Sequence, residues 1–165
     1  MISQQALARR VQEMGQAISR DYASESLVAV GVLTGSFVFM ADLVRAIDAS
    51  VDCQFLGLSS YGSATESSGV VAITKDLSDP IEDRHVLVVE DIIDSGLTMS
   101  YLLDNLRTRR PASVRVAALL SKPARRRVEV SIDYLGFTIE DRFVVGYGMD
   151  KAGSYRNLPY IGALD

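Results

Sequence analysis

The run His85-Val86-Leu87-Val88-Val89-Glu90-Asp91-Ile92-Ile93-Asp94-Ser95-Gly96-Leu97-Thr98 decides how the chain is read. Val86 to Val89 is a continuous apolar stretch, too short for a helix and rich in β-branched side chains, so it predicts a buried strand. Glu90 and Asp91 follow, then two apolar residues, the third carboxylate Asp94, the pair Ser95-Gly96 and the hydroxyl of Thr98. Past these, Met99, Leu102, Leu103 and Leu106 share one helical face. A strand, a short polar turn and a helix start leave backbone N–H groups pointing outward without partners. The helix dipole favours an anion at such a turn by about 0.3–2 kcal/mol. Ser95 and Thr98 add hydroxyl donors, and Gly96 lets the backbone come close. The turn is a candidate phosphate cradle. Glu90 and Asp91 would repel phosphate, which leaves them for sugar hydroxyls or for a Mg²⁺ that also touches the substrate. The plainer alternative is a solvated loop whose acids sit near a helix N-terminus. Three acids, Ser-Gly and Thr together after a buried strand weigh against it.

A second unit has the same form. Leu27 to Leu33 reads as a buried strand, followed by Thr34-Gly35-Ser36 and a helix with Phe37, Met40, Leu43 and Ile47 on one side. Its N–H groups offer an anion the same welcome. Before it, residues 3 to about 22 read as an amphipathic helix with Leu7, Val11, Met14 and Ile18 in phase and Ser3 as its cap. Val51 to Ser59 reads as a strand in which Val51, Cys53 and Phe55 alternate, placing Cys53 in the core. The run from Ser60 to Gly69 is small and polar, either a hairpin connection or a lid beside a site. Val70 to Lys75 and Ala112 to Leu120 are further strands. His85 is the only histidine, without a second ligand type near it in sequence, and is expected to be structural. Arg125, Arg126 and Arg127 read as a solvated loop. Lys122 differs from them, because it ends a strand on the edge where α/β sheets bind ligands. Strands alternating with helices predict an α/β fold with a mainly parallel sheet.

Val88-Val89-Glu90-Asp91-Ile92-Ile93-Asp94-Ser95-Gly96-Leu97-Thr98 resembles the phosphoribosyl-pyrophosphate (PRPP) motif of the type I phosphoribosyltransferases. The wording is nearest to the hypoxanthine (hypoxanthine-guanine) phosphoribosyltransferases of purine salvage, and the likeness extends over nearly the whole chain. It implies a central sheet flanked by helices, as one domain over 1–165. The core would be about 1–121 and a C-terminal hood about 122–165, with an N-terminal contribution. It implies that Glu90, Asp91, Asp94, Ser95, Gly96, Leu97 and Thr98 bind PRPP, with Asp94 catalytic at the purine N7. Leu33, Thr34, Gly35 and Ser36 would contact pyrophosphate with Arg156, through a Leu33–Thr34 bond that the family tends to hold in strained, sometimes cis, form. Many members carry Lys at the position of Thr34, which removes a side-chain charge from this loop but not its backbone. Lys122 would meet the exocyclic oxygen of a 6-oxopurine, Phe143 would stack on the base and Val144 would read its edge. Ser60 and Tyr61 would open the lid, and Mg²⁺ would be held by Glu90, Asp91 and Asp150. The resemblance also implies a homo-oligomer, dimer or tetramer. A PRPP- or nucleotide-binding regulator on the same fold is the alternative reading.

Composition agrees with a single globular domain. The chain has 165 residues, 48% hydrophobic and 23% charged. A net charge of −4 argues against a general nucleic-acid binder. One cysteine allows no internal disulfide. Arg9, Arg10, Glu13 and Arg20 interrupt every early apolar run, and no stretch approaches membrane-spanning length, so a cytosolic protein is expected. No Walker lysine pattern or Rossmann glycine triplet is present.

Overall fold

The computed structural model describes residues 1–61 and 70–164. Helix α1 (Gln4–Asp21) starts at Ser3, whose Oγ accepts a hydrogen bond from the Ala6 N–H at 3.2 Å. Its in-phase side chains Leu7, Val11, Met14 and Ile18 are all buried. Strand β1 (Leu27–Leu33) leads to α2 (Phe37–Arg45), then β2 (Val51–Tyr61), β3 (Val70–Lys75) and β4 (His85–Ile93). Helix α3 (Leu97–Arg107), β5 (Ser113–Ser121), a single 3-10 turn (Pro123–Arg125) and β6 (Tyr134–Thr138) complete the core elements. Two short strands, β7 (Phe143–Val145) and β8 (Gly162–Leu164), form a separate ribbon.

The main sheet has the order β3-β2-β1-β4-β5-β6, and only β2 with β3 is antiparallel. The central strands are apolar over Leu27–Val32 of β1 and Val86–Val89 of β4, where both faces are covered. Leu27, Ala29, Leu87 and Val89 point to the layer that holds α1 and α2. Their neighbours Val28, Val30, Val86 and Val88 point to the layer that holds Met99, Leu102 and Leu106 of α3. This is the mainly parallel α/β architecture that the alternation of elements predicts.

From β1 the chain moves to one side of the sheet, and from β4 it moves to the other. The loops leaving these adjacent strands therefore part company at the carboxyl edge, which opens a crevice between them. The site lies there. The hood sits over the same end. Its Ile161 exchanges two backbone hydrogen bonds of 3.0 Å with Ile2, so the N-terminus is paired into the C-terminal ribbon.

Three local expectations need correction. The strand after His85 runs beyond Val89 to Ile93, because β5 pairs with it as far as Ile93 opposite Ser121. Phe37 is 41% exposed, and Phe39 takes its place in the core beside Met40 and Leu43. Cys53 is exposed, while Gln54 and Leu56 are buried. One strand out from the centre, the α1/α2 layer covers β2 only in part, so Val51 and Phe55 pack at its margin and Cys53 remains open. His85 is structural as expected. At the opposite edge of the sheet its Nδ1 lies 2.7 Å from the Ser113 Oγ and its ring packs edge-on to Tyr22. No helix among the described residues is long and apolar enough to cross a membrane.

Candidate active site

Both loops at the crevice expose helix N-termini that no side chain caps. Gly96 is the N-cap of α3 and has φ 84. An added Cβ there would overlap the Val128 carbonyl, so the position tolerates only glycine. Ser95 Oγ approaches the Leu97 N–H at 3.4 Å, a long contact. At α2 the N-cap is Ser36, a residue type that usually caps. Here its hydroxyl is buried and donates backwards to the Val32 carbonyl at 2.6 Å. The Leu33–Thr34 peptide bond is cis, and Thr34 lies exposed beside half-buried Gly35.

The acids end β4. Glu90 is buried and its Oε1 accepts the Asp91 N–H at 3.2 Å. Burial, and then the charge of Asp91, hold the Glu90 carboxyl well above the usual carboxylate range. Glu90 stands in the wall of two cavities of about 90 and 250 Å³, the smaller one bounded by Asp94, Ser95, Gly96 and Thr98. The Asp91 carboxylate lies against Gly35, where any Cβ would overlap it. On the other side of Gly35 its carbonyl meets Gly148 of the hood, which has φ 101 and equally little room. Arg156 Nη1 donates to the Gly148 carbonyl at 2.7 Å, and its Nη2 pairs with Asp150 Oδ1 at 2.9 Å. Asp150 Oδ2 accepts the Gly153 N–H at 2.7 Å. Thus Asp91, Gly35, Gly148, Arg156 and Asp150 form one continuous set of contacts from sheet to hood. The Tyr147 hydroxyl, buried and donating to Asp42 Oδ2 at 2.5 Å, ties the same turn to α2. Burial and that bond push its pKa upward.

A second group gathers beyond Ile93. Lys122 is buried, and its N–H donates to the Ile93 carbonyl at 3.0 Å. Its Nζ lies 3.9 Å from Asp141 Oδ1. Asp94 Oδ1 lies 3.0 Å from Arg125 Nε. Phe143 is 53% exposed, which plain core packing does not explain, whereas Val144 is buried. The structure therefore brings the PRPP-motif residues, the Thr34-Gly35 loop, Lys122 and the hood to one edge. It does not bring Glu90, Asp91 and Asp150 into a single cluster: no three such ligating groups converge among the described residues. Hard oxygen donors supplied one or two at a time suit Mg²⁺, which keeps waters and shares substrate phosphates. The side chains of Ser60 and Tyr61, and residues 62–69, lie outside the described residues, and the lid expectation with them.

Sequence reasoning missed Gly148, the Tyr147–Asp42 bond and the Arg125–Asp141 contact. Gly148 sits between two residues of ordinary hood sequence, and nothing local marks it as the neighbour of Gly35.

Two helix N-termini without side-chain caps thus flank the acids Glu90 and Asp91 at a switch point of the sheet. The phosphoribosyl transferase domain model matches residues 1–152, and the chain belongs to that family. It is similar to the hypoxanthine-guanine phosphoribosyltransferase of Bacillus subtilis, 46% identical over 164 residues, covering 99% of this chain and 91% of that protein. The hypoxanthine phosphoribosyltransferase of Haemophilus influenzae is 48% identical over 167 residues, covering 99% and 93%. The crystal structure of a hypoxanthine-guanine phosphoribosyltransferase from Bacillus anthracis superposes with a TM-score of 0.96 at 45% identity, over 100% of this chain and 97% of that one.

Proposed function

We propose that this chain is a purine-salvage enzyme that transfers the 5-phosphoribosyl group of PRPP to hypoxanthine and guanine. The products are IMP or GMP and pyrophosphate. The observation that carries the reading is the pair of uncapped helix N-termini at the β1/β4 crevice, with Asp91 packed against Gly35 between them. Relatives of nearly full coverage bear the matching names.

In this reading the turn from Asp94 to Thr98 holds the 5′-phosphate by its main chain. Remote binding energy then positions the anomeric carbon. Glu90 and Asp91 accept the ribose hydroxyls. Thr34 and Gly35, with Leu33 and Arg156, receive the pyrophosphate. Lys122 donates to the 6-oxo group, Phe143 stacks on the ring, and the Val144 backbone reads the base edge. N9 of the purine forms the new bond to the anomeric carbon as the bond to pyrophosphate breaks. Asp94 takes the proton that leaves N7. Glu90, Asp91 and Asp150 are the residues that would hold Mg²⁺ together with PRPP, and the ion would supply neutralisation of pyrophosphate charge. Ser60 and Tyr61 belong to a lid that keeps water from the reacting carbon. The reading includes a homo-oligomer and a cytoplasmic location.

The test is an assay with PRPP, Mg²⁺ and hypoxanthine, guanine or xanthine in turn. Nucleotide is expected from the first two, and its absence with all three would refute the reading. Asp94→Asn should bind PRPP as before and lose about 10²–10⁴ in turnover. Undiminished turnover would remove the proton role.

A further inference from the structure

We infer that Arg125 is a positioning residue for Asp94: it holds the proton-accepting carboxylate against the base side of the crevice and away from the phosphate cradle. The inference rests on the reaction proposed above. Its starting point is a geometric problem that Asp94 faces. Asp94 lies two residues before the N-cap of α3, whose first N–H groups have no side-chain cap. Carboxylates are drawn to such positions by hydrogen bonding and by the helix dipole. An Asp94 that swung onto those N–H groups would occupy the place meant for phosphate and would leave the purine.

The chain after β5 supplies the restraint. Pro123–Arg125 makes one 3-10 turn, closed by the Arg125 N–H donating to the Lys122 carbonyl at 3.2 Å. That turn returns Arg125 over the end of β4. Its Nε then lies 3.0 Å from Asp94 Oδ1, and its Nη1 lies 3.5 Å from Asp141 Oδ1. The same Asp141 oxygen is 3.9 Å from Lys122 Nζ. Charges alternate along Asp94, Arg125, Asp141 and Lys122, so each group is flanked by its opposite. Asp94 Oδ1 is buried and accepts no hydrogen bond, so charge alone holds it under the guanidinium. Asp141 lies two residues before Phe143, so the planar fork of Arg125 also links the proton-handling carboxylate to the strand that carries the stacking ring.

The pair is partly open to water: the Arg125 side chain is 52% exposed and that of Asp94 39%. Ion pairs of that exposure contribute little to stability. Positioning should therefore show in turnover and not in melting temperature.

The experiment is a double-mutant cycle of Arg125→Gln with Asp94→Asn, with Arg125→Lys alongside. Arg125→Gln is expected to lower kcat by up to about 10²-fold, the scale of a misplaced catalytic group. The KM for PRPP and the melting temperature should stay near wild type. Arg125→Lys, which keeps the charge, should recover part of kcat. In the Asp94→Asn background, Arg125→Gln should cost nothing further, since the group it positions is gone. An equal loss in both backgrounds would overturn the inference, as would a loss that tracks melting temperature and is not recovered by lysine. An active wild type with an equally active Arg125→Gln would overturn it alone. A wild type that makes no nucleotide would overturn the proposed reaction and this inference together.

Discussion

Helices α1 and α3 begin in opposite ways. At α1 the chain closes its own helix end: Ser3 accepts from the Ala6 N–H, and the helix face packs into the core. At α3 the N-cap is glycine with positive φ, which has no side chain to cap with, and the Ser95 Oγ reaches the first N–H only at 3.4 Å. A serine or threonine cap is worth about 1 kcal/mol. Helix α3 forgoes that stabilisation, as does α2, where a serine is present but its hydroxyl points back to Val32. The scaffold helix α1 satisfies its own end, whereas the two helices at the crevice start without a side-chain cap.

The largest effect is expected from closing the open end sterically. Gly96→Ala puts a side chain at φ 84 and against the Val128 carbonyl. Strain of this kind costs about 1–3 kcal/mol. The phosphate cradle moves with it, so kcat/KM for PRPP should fall by about 10²-fold or more. Inorganic phosphate should raise the melting temperature of the wild type and no longer raise that of the variant. A Gly96→Ala enzyme with normal PRPP kinetics would break the comparison.

The next effect separates function from folding at the other open helix. Gly35→Ala drives a methyl group into the Asp91 carboxylate, a flexible side-chain end that yields without unfolding the strand. Losing a charge-assisted contact to a ribose hydroxyl costs about 1.5–3 kcal/mol, so the KM for PRPP should rise about tenfold or more. The melting temperature should change little, because what yields is a side-chain tip. Steady-state kinetics and a thermal melt on the same sample check both halves.

What sequence could and could not reveal follows from the range of each interaction. The bounds of β1 and the cap of α1 are local matters, set by an apolar run and by one serine three residues from its donor. The PRPP-motif residues are contiguous, so their gathering on one turn was legible as well. The length of β4 was not, because its last residues are strand only through pairing with β5. Phe37 and Phe39 are equally apolar, and only the docking of α2 on the sheet decides which of them is buried. The Gly35–Gly148 approach and the Tyr147–Asp42 bond join residues more than a hundred positions apart. Arg125 lies in a run of three arginines that reads as solvated until a 3-10 turn bends it back over Asp94.

The smallest effect should come from the closed end, and it sharpens the contrast by being confined to stability. Ser3→Ala removes the side-chain acceptor for the Ala6 N–H and leaves the helix face untouched. The expected cost is about 0.5–2 kcal/mol. At roughly 2–4 °C per kcal/mol for a chain of this size, the melting temperature should drop by a few degrees. Turnover and the KM for PRPP should stay at wild-type values, because the lost bond joins Ser3 to Ala6 at the exposed end of α1 and involves no residue of the crevice. If Ser3→Ala slowed turnover as Gly96→Ala does, helix ends would be contributing to catalysis through general rigidity. The division between scaffold and binding helices would then fail. A drop in melting temperature with unchanged kinetics means that the same kind of backbone N–H serves the fold at one helix and the ligand at another, according to whether the chain supplies its own oxygen.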